Sequence, residues 1–404
     1  MNRNDKTVFG ALLVCLFAAV TGVGIVVPLL PVYAHDLGAS GIYIGLIFSA
    51  FSFSKALLLP YFGRLSDQKG RKPFIIAGLS GYALISLGLI ASSNVETLII
   101  LRFVQGMASA MMMPVIQAYA GDITPAGKEG LIMGLFNLAA FCGLSMGPLL
   151  GGIVNDRFGL GTAFACMGVL AGFGALFGMW ALPSRRAERA TWANKPTVSF
   201  RKLAQDRYMT GLLLVRFAYA AGIGIIWSFM PVFAAAELKL SGSSIGFLVM
   251  VGIFISGILN VPMGLLADRI DRKLMVVCGC VIAGIGIFSS EWAQGFVDLF
   301  LANVLFGIGG GIAMPALMAL CVATGSRTDS MGSTMGLVTL AHSLGMLAGA
   351  MAGGVAMDVF ELRRAFSFGA LMMILAPVIF LIYSSRKAPA PVDKTDKAFL
   401  EPLE

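Results

Sequence analysis

Twelve apolar runs of about twenty residues or more, separated by short charged or turn-rich breaks, constrain this chain more than any other feature. About twenty apolar residues are what a helix needs to cross ~30 Å of hydrocarbon. The runs fall at 8–34, 41–62, 74–92, 95–120, 131–155 and 161–182, and then at 209–236, 243–266, 274–292, 297–324, 331–357 and 362–383. Charged residues make up only 12% of the 404, against about 25% in a soluble domain. With 58% hydrophobic residues and a mean hydropathy of +0.87, the chain has too little polar surface to face water.

Arg3 and Lys6 precede the first run and imitate a signal peptide, but Val8 to Tyr33 is longer than an h-region of roughly 7–15 residues. It is read as a retained first helix. The six cysteines all lie in apolar runs, and Cys278 and Cys280 point apart on a helix. They are expected to be packing residues, with no disulfide framework and no metal site.

Orientation follows from the basic residues. With the N-terminus in the cytoplasm, the inside segments hold 22 Lys/Arg, the outside loops 4 (Arg157, Lys239, Arg363, Arg364) and the spans 3 (Lys55, Arg102, Arg216). The charge behind the pI of 9.3 thus lies along a membrane face, where anionic lipid attracts it, and nucleic acid is not an expected partner.

The chain repeats itself. Residues 130–164 align without a gap on 332–366, with 15 of 35 pairs identical, among them Gly143/Gly345, Gly147/Gly349, Gly151/Gly353, Gly152/Gly354 and Asp156/Asp358. Gly63 to Asp67 matches Gly264 to Asp268, and Gly106 and Pro114 match Gly307 and Pro315, all at an offset of 201 or 202. The expectation is an all-α membrane protein of twelve transmembrane helices in two pseudo-symmetric six-helix bundles. The bundles span 1–182 and 209–383. A cytoplasmic linker at 183–208 carries seven Lys/Arg, and a cytoplasmic tail covers 384–404.

Gly63-Arg-Leu-Ser-Asp67-Gln-Lys-Gly70-Arg71-Lys72 follows the second span, and Gly264-Leu-Leu-Ala-Asp268-Arg-Ile-Asp271-Arg272-Lys273 follows the eighth. Both resemble the G-x-L-x-D-x-x-G-R-K/R signature of the major facilitator superfamily, with Asp271 in place of the second glycine. The resemblance covers essentially the whole chain. Gly63 and Gly70 are expected to let the chain leave and re-enter helices in a tight turn, and Arg71 and Lys72 to anchor it. Asp67 is placed to meet Arg71, or the positive N-terminal end of a helix in the other half such as span eleven. The resemblance implies that this contact biases an alternating-access equilibrium.

Leu98-Ile-Ile-Leu-Arg102-Phe-Val-Gln105-Gly106 in span four resembles the family's arginine motif, which implies proton coupling. Arg102 lies about 10 Å in from the outer helix end, where a guanidinium is expensive. Gly143-Leu-Ser-Met-Gly147-Pro148-Leu-Leu-Gly151-Gly152 in span five resembles the motif of the antiporter branches, multidrug exporters included. Its glycines share one face that lets another backbone approach, and Pro148 bends the helix. The first span, with Gly24, Pro28 and Pro31, also resembles drug-exporter first helices.

Within the spans, Lys55 and Arg216 are candidates to line a central cavity, and His342 to titrate near physiological pH. None of the 21 carboxylates sits deep in a span, which weakens a carboxylate-based proton mechanism. Asp36 and Asp122, at span ends, are the nearest substitutes, with His342 as the alternative carrier. Gln105, Gln117, Asn137, Tyr219, Trp227, Asn260 and Asn303, with Met111, Met112 and Met113, are uncharged cavity candidates for an amphipathic substrate.

The expected function is secondary active transport: proton-coupled efflux of amphipathic, drug-like small molecules by a monomer in the plasma membrane (a bacterial inner membrane), both termini cytoplasmic. No cofactor and no enzymatic reaction are expected, since nothing resembles a P-loop, a metal cluster or a nucleophile–base set. Two alternatives stand. One is a transporter of an organic anion or lipid-like solute, with Lys55 and Arg102 as anion partners. The other, of a different class, is a membrane receptor.

Overall fold

The computed structural model describes residues 3–125, 129–183, 206–327 and 330–384. Most of the expected linker and nearly all of the expected tail lie outside these. Twelve helices follow one another: α1 Arg3–Asp36, α2 Gly41–Lys69, α3 Arg71–Ala91, α4 Val95–Asp122, α5 Glu129–Phe158, α6 Leu160–Ala181, α7 Arg207–Ala236, α8 Gly242–Leu266, α9 Arg272–Glu291, α10 Phe296–Arg327, α11 Met331–Val359 and α12 Arg364–Ser384. There is no strand among the described residues. All twelve are long and apolar enough to cross a membrane. In hydrocarbon, helices of this kind satisfy every internal backbone group without water.

The breaks follow local chemistry. Gly38, Gly70 and Gly159 take φ of +84°, +91° and +84° between consecutive helices, a region closed to most side chains. Asn94, Asp206, Ser241 and Asp271 cap α4, α7, α8 and α9 by accepting from backbone N–H groups one turn on. Asp271 explains the missing glycine of the second loop signature: at φ −59° it starts α9 as a cap where Gly70 starts α3 as a left-handed turn. One expectation is corrected here. Gly63 does not release the chain from a helix, because α2 runs through it to Lys69, and Gly264 likewise lies inside α8. Only Gly70 makes the turn; a helix tolerates an interior glycine at about 1 kcal/mol.

Packing repeats across the halves. In the first, α1 rests on α5 and α6, α2 on α4, and α3 on α4 and α6; in the second, α7 rests on α11 and α12, α8 on α10, and α9 on α10 and α12. The halves meet through α5 on α8, α2 on α11, and α1 on α7. Exposed apolar side chains gather on α3 (Leu84, Leu87), α6 (Phe173, Leu176, Trp180), α9 (Ile285, Phe288) and α12 (Leu371, Leu375), a belt suited to lipid. The cysteines are free; Cys280 is buried and Cys278 exposed, as their spacing requires.

The glycines of α5 and α11 divide by face. Gly147 packs on α1, where an added Cβ would stand 2.7 Å from the Gly24 Cα, and Gly143 and Gly151 face Thr21 and Ile25. Gly345, Gly349 and Gly353 face α7 in the same way. Gly152 and Gly354 turn instead toward the other half, against Gly242 on α8 and Gly41 on α2.

Candidate functional site

The end of the bundle that carries the α2–α3 and α8–α9 connections is called the basic end here, and the opposite one the far end. At the far end the halves are locked by two repeat-related carboxylates. Asp156, at the end of α5, accepts from the backbone N–H of Gly242 at 2.9 Å and of Ser243 at 2.7 Å, at the start of α8. Asp358, at the end of α11, accepts from Gly41 at 2.5 Å and Ile42 at 2.9 Å, at the start of α2. First-turn N–H groups have no partner within their own helix, and the helix dipole favours an anion there. A Cβ on Gly152 would stand 2.6 Å from the Gly242 carbonyl carbon, and one on Gly354 2.8 Å from that of Gly41. Further in, Ser49 donates to the Leu347 carbonyl at 3.1 Å.

The loop signatures at the basic end stay within their own halves. Arg71 pairs with Asp67, binds Asp122 through Nε at 3.1 Å and Ser66 through Nη1 at 2.9 Å, while Lys72 donates to the Met179 carbonyl at 2.6 Å. Arg272 pairs with Asp268 at 3.0 Å, and Lys273 donates to the Ser384 carbonyl at 3.1 Å. Of the two partners expected for Asp67, Arg71 is therefore the one it meets. An added Cβ on Gly63 would meet open space.

Between the two ends lies a cavity of about 440 Å³ walled by α5, α7, α8, α10 and α11. Of the cavity candidates, Asn137, Arg216, Tyr219, Trp227, Asn260 and Asn303 line it, and so does His342, expected as a proton carrier. Most of the remaining wall is apolar, with Phe141, Leu144, Ile253, Phe306, Met314 and Met318. The Tyr219 ring stacks on Phe306 at 5.8 Å, and its hydroxyl fits because Gly310 has no side chain there. Asn260 and Asn303 each donate to the carbonyl four residues earlier, at 2.8 Å. A lateral groove of about 320 Å³ between α5 and α8 shares Asn137, Phe141 and Asn260 with the cavity. Exposed Leu138, Phe254, Ile258 and Val261 line this groove.

Several expected site residues lie elsewhere. Arg102 neither snorkels outward nor enters the cavity. It is 3% exposed, bonded to Gln105 Oε1 at 2.7 Å and to the Ile47 carbonyl at 3.4 Å, between the rings of Phe48 and Phe51 at 5.0 and 4.6 Å. Gln105 is thus the partner of Arg102, not a cavity group. Asp36 is at the far end with its side chain 69% exposed, and Asp122 is held by Arg71, so neither carboxylate reaches the cavity. The methionines of the wall are Met314 and Met318 on α10, not Met111 to Met113. Lys55, expected to line the cavity, is not among its wall residues; its ammonium lies over the Phe51 ring of its own helix at 5.9 Å. The closing roles of Asp156 and Asp358 were missed, although their identity across the repeat was the available signal.

The description "Major Facilitator Superfamily" belongs to a family model that matches residues 12–219 and again 212–402. The chain belongs to the major facilitator superfamily. Multidrug resistance protein 2 of Bacillus subtilis is 25% identical over 396 residues, covering 96% of this chain and 98% of that protein. The nucleoside transporter NupG shares the fold at a TM-score of 0.80 and 13% identity, over 96% of this chain and 100% of its own. The human organic anion transporter MFSD10 (TETRAN) shares it at 0.63 and 18%, over 93% and 99%. The superfamily is one of transporters, and this member is an integral multi-pass membrane protein.

Proposed function

We propose that this chain is a secondary active exporter of amphipathic, drug-like small molecules, working by alternating access of the central cavity and driven by the proton gradient. The observation that carries this reading is the cavity: about 440 Å³, mostly apolar, with a few convergent polar groups and a sealed far end. Its lateral groove suits a substrate that partitions into the bilayer. The excess of basic residues at the basic end supports a cytoplasmic position for it and for both termini. The arrangement described is then the inward-open one, in a plasma membrane such as a bacterial inner membrane, with the monomer as the working unit. His342 is the group of the described cavity wall whose ordinary pKa lies near neutrality, and we assign it the proton.

Cells expressing the chain are expected to accumulate less of an amphipathic dye than control cells. A protonophore should raise accumulation to the control level. Equal accumulation with and without the protein, across a broad dye panel, would contradict export.

A further inference from the structure

Two side chains of the cavity wall, Arg216 and His342, each hold a buried nitrogen with no hydrogen-bond partner among the described residues. Arg216 sits nine residues into α7, about 14 Å from the helix start. Its Nη1 reaches only the thioether of Met314, at 3.1 Å, and its Nε is buried without a hydrogen-bond partner. That contact with α10 points the side chain inward, away from lipid. From α11, His342 faces the same space, and its Nδ1 is also buried and unpartnered.

Lys55 joins them by register. The helices α2 and α11 run antiparallel with Gly41 on Gly354, Gly45 on Ala350 and Ser49 on Leu347. Continued at the same sum, that pairing sets Lys55 opposite residues 340–341, beside His342. The Phe51 ring under Lys55 also receives the Arg102 guanidinium, so positive charge extends behind the cavity into the first half. Every Asp and Glu among the described residues lies near a helix end. No carboxylate among the described residues therefore neutralises Arg216 or Lys55 at this depth. Desolvating a charge without a counter-ion costs several kcal/mol, and a chain that keeps such a group facing a cavity has a place for an anion.

We propose that the cavity is an anion receptor, and that the transported molecule is an amphipathic organic anion: a carboxylate, sulfonate or phosphate on an apolar body. Its charged group docks on the Arg216 guanidinium, His342 donates to it from α11, and Lys55 adds positive potential. The apolar body lies against Phe306, Met314 and Ile253. This names the substrate class of the transport reading above and rests on it. Of the two anion partners expected from the sequence, Lys55 is kept, and Arg216 replaces Arg102, which does not line the cavity and is bonded to Gln105 and the Ile47 carbonyl.

The test uses three probes of one shape on the purified full chain: pyrenebutyrate, its neutral amide, and pyrenebutyltrimethylammonium. Binding is measured in detergent and flux in proteoliposomes. The butyrate is expected to bind about ten- to a hundredfold tighter than the amide, the range that hydrogen bonds to a charged group bring, and the cation more weakly still. Arg216→Gln should abolish the anion preference, so that butyrate and amide bind the variant equally, and Arg216→Lys should keep part of it. Equal binding of the three probes, or preference for the cation, would overturn the proposal using the wild-type protein alone. An anion preference that survives Arg216→Gln would overturn the assignment to this residue. Failure of the transport reading looks different: probes that bind in the predicted order but do not cross the liposome membrane.

Discussion

Gly152→Leu and Gly354→Leu are each expected to slow transport about tenfold or more while leaving the purified protein folded. Both glycines face the opposite half at the far end, where an added Cβ would meet backbone atoms of Gly242 or Gly41. Overpacking such a contact costs about 1–3 kcal/mol. Here the cost falls on the state closed at the far end and not on the state open there, so the population shifts about ten- to a hundredfold toward the latter. A cysteine placed at Val249, in the cavity wall, should then react faster with a membrane-impermeant maleimide added from the far side. Asp156→Asn with Asp358→Asn should shift labelling in the same direction but less, since each carboxylate at a helix N-terminus contributes about 0.3–1 kcal/mol. Gly147→Leu and Gly349→Leu supply the contrast. They face α1 and α7 within their own halves, so they should lower yield and Tm in any state. Identical behaviour of the two glycine classes would contradict this division of faces.

Arg102→Met is expected to destabilise the protein while leaving probe binding in the cavity intact. Its guanidinium is held by Gln105, the Ile47 carbonyl and two phenylalanine rings. Removing it strands the Gln105 amide oxygen in an apolar interior, which costs about 1–3 kcal/mol. The double variant Arg102→Met with Gln105→Leu removes both partners, and should recover most of the lost Tm, because replacing a buried polar pair by apolar groups is often close to neutral. A single variant with unchanged Tm that loses only its response to the proton gradient would restore the coupling role that the motif suggested.

The twelve helices were legible because the length of an apolar run is itself the physical requirement for crossing a bilayer, and their ends fall within a few residues of the runs except at α2, which continues past the run at 41–62 to Lys69. The repeat was legible because duplicated packing keeps duplicated glycines, as Gly147 on α1 and Gly349 on α7 demonstrate. Gly63 misled because a glycine near a span end signals a turn, yet α2 runs through it to Lys69 and the chain turns only at Gly70. Arg102 and Gln105 stand three apart on one helix face, so their pairing was within reach of the sequence alone. The apolar cavity wall was not. Whether Phe306 or Met314 faces lipid, its own bundle or the other half depends on how two bundles dock, and hydropathy carries no signal for that. The same holds for Asp156 and Asp358, whose role exists only once α5 meets α8 and α11 meets α2.

The central claim is that a molecule bound between the halves is carried across the membrane. Counterflow in proteoliposomes measures this most directly, with vesicles loaded with unlabelled pyrenebutyrate and labelled probe added outside in trace amount. Transport by alternating access predicts a transient, saturable uptake of label above equilibrium that Gly354→Leu suppresses. Probe that binds the protein with the expected preference but shows no uptake above that of empty liposomes would contradict it, and would leave a receptor in place of a transporter.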